Sequence, residues 1–411
     1  MRLFLLLCHC VIATAIPLTS WAAKVEALHW WTSGSEAAAL EVIKQSLEQQ
    51  GHQWQDFAIV GGGGDSAMTV LRTRAMSGNP PASAQIKGPD IQEWASLGLL
   101  QPLNSLSQDW PEIFPATVTQ HLRYQGDYVA VPFNIHRVNL LWLNKAIFDE
   151  LNLTPPQTWD EFIATSQAIT KAGYIGFAHG LQPWQDTLLF ENVAIAKLGA
   201  QTYRQIFVDH QITPNDHNKL IAVFKQLRAL RAIVDNQAID RNWDTNIRLL
   251  ADKKAGMVLM GNWAKGELHL LGLTPNQDYL CLAAPQTAKA FSYNIDTFVF
   301  FKHHQQDDTQ QAQQALANTI ANPKIQIAFN QLKGSIPARQ DIASEHFDLC
   351  SQQDIKDFQQ LERIPSLAQG MANTGLTQNA LVDVVSHFFN NPKISPEQAV
   401  QQLLVAIQAT Q

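Results

Sequence analysis

Cysteine is scarce in this chain: four in 411 residues, two of them at positions 8 and 10. No His-Glu-x-x-His and no Cys-x-x-Cys occurs, so thirteen histidines offer no metal-site spacing, and His303-His304 sit in a polar run. There is no Gly-Lys-Ser/Thr phosphate loop and no Gly-x-Ser-x-Gly elbow, which removes the readable signals for nucleotide hydrolysis and serine acyl transfer. Lys/Arg-rich runs are missing too, and the formal charge of -7 is spread out, so nucleic acid and anionic membrane surfaces are not expected partners. Long apolar runs are absent after the first residues. Leu3 to Ile16 falls short of the roughly 20 apolar residues a spanning helix needs. With Arg2 before it and Ser20 and Ala22 behind, it reads as an export signal over residues 1–22, cut after Ala22 or Ala23.

Export changes the cysteine count. Removing the signal leaves Cys281 and Cys350, and a single pair in an oxidising compartment reads as one disulfide. The chain length exceeds a comfortable single core and implies two domains.

What the chain has is tryptophan, eleven of them, several beside turns rather than in periodic apolar runs. The first pair follows the signal closely, in Leu28-His29-Trp30-Trp31-Thr32-Ser33-Gly34-Ser35-Glu36. Aromatic faces beside hydrogen-bonding groups suit a ligand with apolar faces and a polar rim, the description of a sugar. Adjacent strand residues face opposite ways, so at least one of Trp30 and Trp31 is expected in the core unless the turn brings both to the cleft.

Strand and helix patterns alternate. Val25 to Trp31 predicts a strand, Ala37 to Gln49 a helix, Phe57 to Val60 a strand, and Gly61 to Gly64 a tight turn with Asp65 or Ser66 capping a helix over 68–76. Ala82 to Ile86, Val138 to Leu143 and Gly256 to Gly261 are further strands. Thr158 and Glu161 form a capping box. This order predicts an α/β fold with a largely parallel sheet and helices on its faces. Asn294 and Asp296 alternate on a strand and share one face, where buried polar groups need partners. Lys87 and Lys333 precede glycine turns, where a binding role and a solvated loop role weigh equally.

Several ordered blocks resemble the periplasmic glucose/mannose-binding proteins of bacterial ABC importers, in solute-binding protein family 1. They are His29 to Gly34, Gly61 to Gly64, Gly78 to Pro81, Gln85 to Ala95, Val131 to Asn139, His179 to Asp186, Gly261 to Lys265, Tyr293 to Asp296 and Lys333 to Pro337. The resemblance spans essentially the whole mature chain. It implies a two-lobed class II fold with mixed, mostly parallel sheets and a ligand cleft between lobes. Lobe one is expected over 23–133 plus 295–345, and lobe two over 134–294 plus 346–411.

The resemblance further implies non-catalytic binding of a monosaccharide, glucose or a related hexose, and delivery to an inner-membrane permease by a periplasmic monomer. No cofactor and no metal is implied, a chemoreceptor is a compatible second partner, and a carbohydrate-acting enzyme on the same scaffold is the alternative. Trp30 and Trp31 would border the sugar, and Trp263 would stack on it. Glu36, Lys87, Asn294, Asp296 and Lys333 would bond its hydroxyls, and His136, Gln182, Trp184 and Asp186 would line the site further out. The family disulfide matches Cys281 and Cys350. One departure stands out: Gln369 occupies the place of a histidine in relatives, keeping a donor and an acceptor but losing the capacity for charge.

Overall fold

The computed structural model describes residues 23–61, 64–302 and 307–410. The expected export signal, Gly62, Gly63 and His303-His304 lie outside these residues.

Ala23–His29 forms a strand whose end delivers Trp30 and Trp31 to a turn. Ser33 then starts the helix Gly34–Gln49 with a capping box: its hydroxyl accepts from Glu36 N–H, and the Glu36 carboxylate accepts from Ser33 N–H. Ala39, Leu40, Ile43 and Leu47 form the helix's buried face. His52–Ala58 and Ser83–Ile86 pair in parallel on either side of the first strand. The helix Asp65–Met76 is capped by Gly64, not by the expected Asp65 or Ser66, and has no side-chain cap. The turn there runs tight against an indole. Gly64 has a φ of 93°, and a Cβ on it would lie 3.1 Å from the Trp30 ring.

The larger sheet has the order 336–337, 130–137, 290–300, 83–86, 23–29 and 52–58, with Glu362–Pro365 also pairing with Ala290–Phe300. The smaller sheet has the order 279–283, 140–144, 255–259 and 175–178. Both sheets are mixed. Strand–helix alternation accounts for the parallel pairs. The antiparallel pairings of Ala290–Phe300 with Ala130–Arg137 and Ser83–Ile86 come from a long-range return of the chain that alternation does not encode.

Two apolar cores form. One gathers Val25, Leu28, Phe133, Phe298 and Phe329; the other gathers Trp142, Phe162, Phe177, Phe190, Phe224 and Phe388. The chain passes between them from Ile135 to Val138, from Ala290 to Phe291, and again beyond Ala338. Cys281 and Cys350 are joined by a disulfide, with Cα atoms 6.2 Å apart. No described helix is long and apolar enough to cross a membrane.

Candidate functional site

A cavity of about 590 Å³ opens between elements of the two cores. Trp30, Glu36, Gly64 and Asp65 line one wall, and Gln182, Trp184, Asn242, Trp243 and Asp244 the other. Of the residues expected from sequence, Trp30, Glu36, Gln182 and Trp184 border this space directly.

Behind that wall lies a continuous buried polar network. A register break between Asp296 and Thr297, opposite Asn134 and Pro132, marks a bulge in the paired strands. Beside it, Asn294 and Asp296 share one face with Asn134 and His136 of the neighbouring strand. The Asp296 carboxylate accepts from Gln85 Nε2 at 3.2 Å and Asn294 Nδ2 at 3.1 Å, with His136 Nε2 3.2 Å from its other oxygen. Asn262 takes His136 Nδ1 at 2.6 Å and donates to Asp354 at 3.0 Å, while the Trp263 ring lies edge-on to the imidazole. Trp263 is 6.4 Å from Trp184 between ring centroids, which connects the network to the cavity wall.

Lys87 stands with its Nζ 5.0 Å from the Trp30 ring centroid and donates to Gln369 Oε1 at 3.4 Å. Gly88 and Gly370 allow this approach: a Cβ on Gly88 would fall 2.3 Å from the Gly370 carbonyl oxygen. Lys333 donates to Glu36 Oε1 at 3.0 Å, while Glu36 Oε2 accepts from the Thr32 and Ser33 N–H groups of the turn.

Burial shapes the charges. It lowers the Lys87 ammonium, with Asp296 and Asp65 pulling back toward the charged form. Burial, then the positive Lys333, pushes the His136 imidazole below its ordinary value. Burial alone would raise Asp296. The His136 hydrogen bond and the nearby charges, Lys333 and Lys87 among them, outweigh it and hold this carboxyl below the usual carboxylate range. Two buried polar atoms in the network have no protein partner, Asn294 Oδ1 and Gln369 Nε2.

Two expected ligand residues point elsewhere. Trp31 packs into the first core, stacked on Phe298 and edge-on to Phe133. Only Trp30 of the pair faces the cavity. Asp186 is fully buried and spent on His179, Ser386 and Asn390 at 2.8–2.9 Å. It lies two residues after Trp184 on a helix, where such neighbours do not share a face. Sequence reasoning missed Gln85, which donates to Asp296 and accepts from the Trp30 N–H, and Asn242-Trp243-Asp244 at a helix start. An Asn before an apolar helix reads as a simple cap, so nothing local marked that stretch.

No cluster of metal-binding side chains occurs among the described residues. Two α/β cores with an aromatic and polar cleft between them define a protein of the periplasmic-binding-protein class. Similarity narrows the class: residues 32–327 match the model of the bacterial extracellular solute-binding protein family, and the chain belongs to that family. It is thus a solute-binding protein that works outside the cytoplasm, not an enzyme. It is 39% identical over 394 residues to a "Probable sugar-binding periplasmic protein" of Rhizobium meliloti, covering 94% of each chain. A protein of the same description from Brucella suis is 38% identical over 392 residues, covering 94% of this chain and 92% of that one. Among solved structures, the solute receptor AcbH superposes with a TM-score of 0.79 at 16% identity, covering 94% of this chain and 98% of that one. The maltotriose-bound MalE domain of Bdellovibrio bacteriovorus gives 0.71 at 17% identity, covering 94% and 99%. At these identities the likeness concerns the fold.

Proposed function

We propose that this chain is the sugar-binding component of an ABC importer, taking one hexose, glucose or a close relative, and presenting it to an inner-membrane permease. The observation that carries the reading is the pair of unpartnered buried atoms. Asn294 Oδ1 is a free acceptor and Gln369 Nε2 a free donor, in the buried network behind the Trp30 wall that also holds Lys87 and Asp296. A buried amide atom left alone costs about 1–3 kcal/mol, and a sugar hydroxyl, both donor and acceptor, satisfies either. Indole faces would cover the ring's C–H surface. The relatives' described sugar binding supports the same class of ligand.

In this reading, the lobes divide near the core crossings at 135–138 and 290–291 and beyond 338, a few residues from the sequence-based bounds of 133/134, 294/295 and 345/346, and the sugar favours closure by touching both at once. Charge-neutral Gln369 at the position of a family histidine shifts hexose preference. The test is isothermal titration of the mature protein with D-glucose, D-mannose and D-galactose, repeated on Gln369→His. Saturable one-to-one binding supports the hexose reading, and a changed rank order in the variant supports the role of Gln369. Heat with disaccharides or longer glucans, but with no hexose, would move the ligand class to oligosaccharides.

A further inference from the structure

Glu191 sits in the long helix Pro183–Phe207, fully buried and away from the cavity. A carboxylate in such a place is costly unless hydrogen-bonded. Its Oε1 accepts from the Ser292 hydroxyl; its Oε2 accepts from Ser366 Oγ at 2.7 Å and Ala368 N–H at 2.9 Å.

Both partner segments lead directly to the polar network behind the cavity wall. Ser292 precedes Asn294 by two residues on one strand, hence on the same face. Ser366 Oγ, while donating to Glu191, accepts from Gln369 N–H at 3.1 Å. One carboxyl group therefore ties the strand carrying Asn294 to the loop carrying Gln369, the two residues of this polar network with unpartnered buried atoms.

The same helix reaches the cavity. Trp184, at its first turn, lines the cleft, and Glu191 follows seven residues later, two turns along one face. Past a break at Gly199 (φ 76°), the helix's second segment adds two more contacts: Tyr203 Oη accepts from Leu367 N–H at 3.1 Å, and Arg204 donates to the Arg363 carbonyl at 2.6 Å. The segment before the break thus touches the cleft through Trp184 and the Gln369 loop through Glu191, and the segment after it holds the residues just before Gln369.

We propose that Glu191 is a positioning residue for recognition: it fixes the spacing between Asn294 and Gln369, and so sets which hexose epimer is preferred. This rests on the sugar-binding reading above. A purely structural role would move stability alone; a positioning role moves the ratio of affinities between epimers.

Glutamine at this position keeps the shape and one acceptor oxygen but replaces the other with an N–H₂ that only donates, so either the Ala368 N–H side loses its acceptor or Ser292 must reverse its hydroxyl, and the three-donor grip is not retained. Titrations of the wild type and of Glu191→Gln and Glu191→Asp with glucose, mannose and galactose would be read beside their thermal melts. The expected result is a folded Glu191→Gln protein whose glucose-to-epimer affinity ratio shifts about tenfold, the worth of about one lost hydrogen bond, with partial recovery in Glu191→Asp. Should Glu191→Gln not fold, Ser292→Ala and Ser366→Ala each remove one of its partners, and the same ratio is expected to shift in both. Unchanged ratios in folded variants, with only a lower melting temperature, would overturn the positioning role. A wild type that binds none of the three hexoses would overturn the functional reading and this inference with it, a result distinct from a retained ratio.

Discussion

The Asp90 carboxylate accepts a 2.7 Å hydrogen bond from the N–H of Gly375, the first residue of the helix Gly375–Asn390. The two residues belong to different cores. Asp90 begins the helix of Ile91 and Trp94, packed in the first core, while Leu381 and Val385 anchor the other helix in the second. A negative group at a helix N-terminus is favoured by the unpaired N–H groups and the helix dipole. The reverse arrangement also occurs: Glu267, from the second core's side, accepts from Ser35 N–H at 2.8 Å and Ser35 Oγ at 2.7 Å, at the start of the helix Gly34–Gln49.

On the hinge reading proposed above, these contacts join elements that opening would separate, so they would weight the closed arrangement before any sugar adds its share. Asp90→Ala is expected to shift the protein toward an open form and weaken apparent hexose affinity about tenfold, from one charge-assisted hydrogen bond discounted for partial exposure. Small-angle scattering of the unliganded variant would show a larger radius of gyration, and titration would show the weaker binding. Equal radii and equal affinities would mean that the Asp90–Gly375 bond carries no closing energy.

Local chemistry made part of this structure legible and hid the rest. The Thr158–Glu161 capping box forms as its spacing predicts, because both halves of the bond lie within one turn. Asn294 and Asp296 share a face because a strand's period is two. Gln85 was invisible as a site residue: its two bonds reach Trp30 and Asp296, which only the sheet brings together. Asp186 went astray for the opposite reason. A block that matches as a string, His179 to Asp186, says nothing of how a helix turns its side chains, and this acid turns inward.

Trp30 and Trp31 separate binding from stability. Trp30 lines the cavity at 7% exposure with Lys87 over its ring, whereas Trp31 is enclosed by Phe133, Phe298 and Phe329. Trp30→Ala is expected to weaken hexose binding by roughly 2 kcal/mol, about thirtyfold, with a modest change in melting. Trp31→Ala is expected to cost about 3–5 kcal/mol of stability as a core cavity. Paired titration and urea unfolding of both variants check this; equal binding losses would place both rings at the sugar.

The Asp296 carboxyl gives the stability a definite pH response. Its folded pKa lies below the ordinary value of 3.8, because the His136 hydrogen bond and the neighbouring positive charges outweigh burial. A depressed carboxyl contributes stability that is present above its unfolded pKa and is lost as pH falls toward the folded one. Urea midpoints are therefore expected to drop as pH falls below about 4, and the drop should be smaller in Asp296→Asn, which lacks the titrating group. A variant with the same acid limb as the wild type would assign that limb to other carboxyls.

The disulfide acts at a joint between elements distant in sequence. Cys281 lies in the edge strand Tyr279–Ala283 of the smaller sheet, and Cys350 in the first turn of the helix Leu349–Gln360. That helix also holds Asp354, which bonds Arg137 and the Asn262 that supports His136. Opening a bridge between residues 69 apart releases unfolded-chain entropy worth about 4 kcal/mol in the loop-closure model. Reduction is expected to lower the melting temperature by several degrees, and Cys281→Ser with Cys350→Ser should reproduce the loss without reductant. Because the helix stays anchored through Asp354, Arg137 and the buried Phe358, hexose affinity measured well below the reduced protein's melting point should stay near that of the oxidised form. A parallel collapse of affinity and stability would instead make the bridge part of what orients His136 and Trp263.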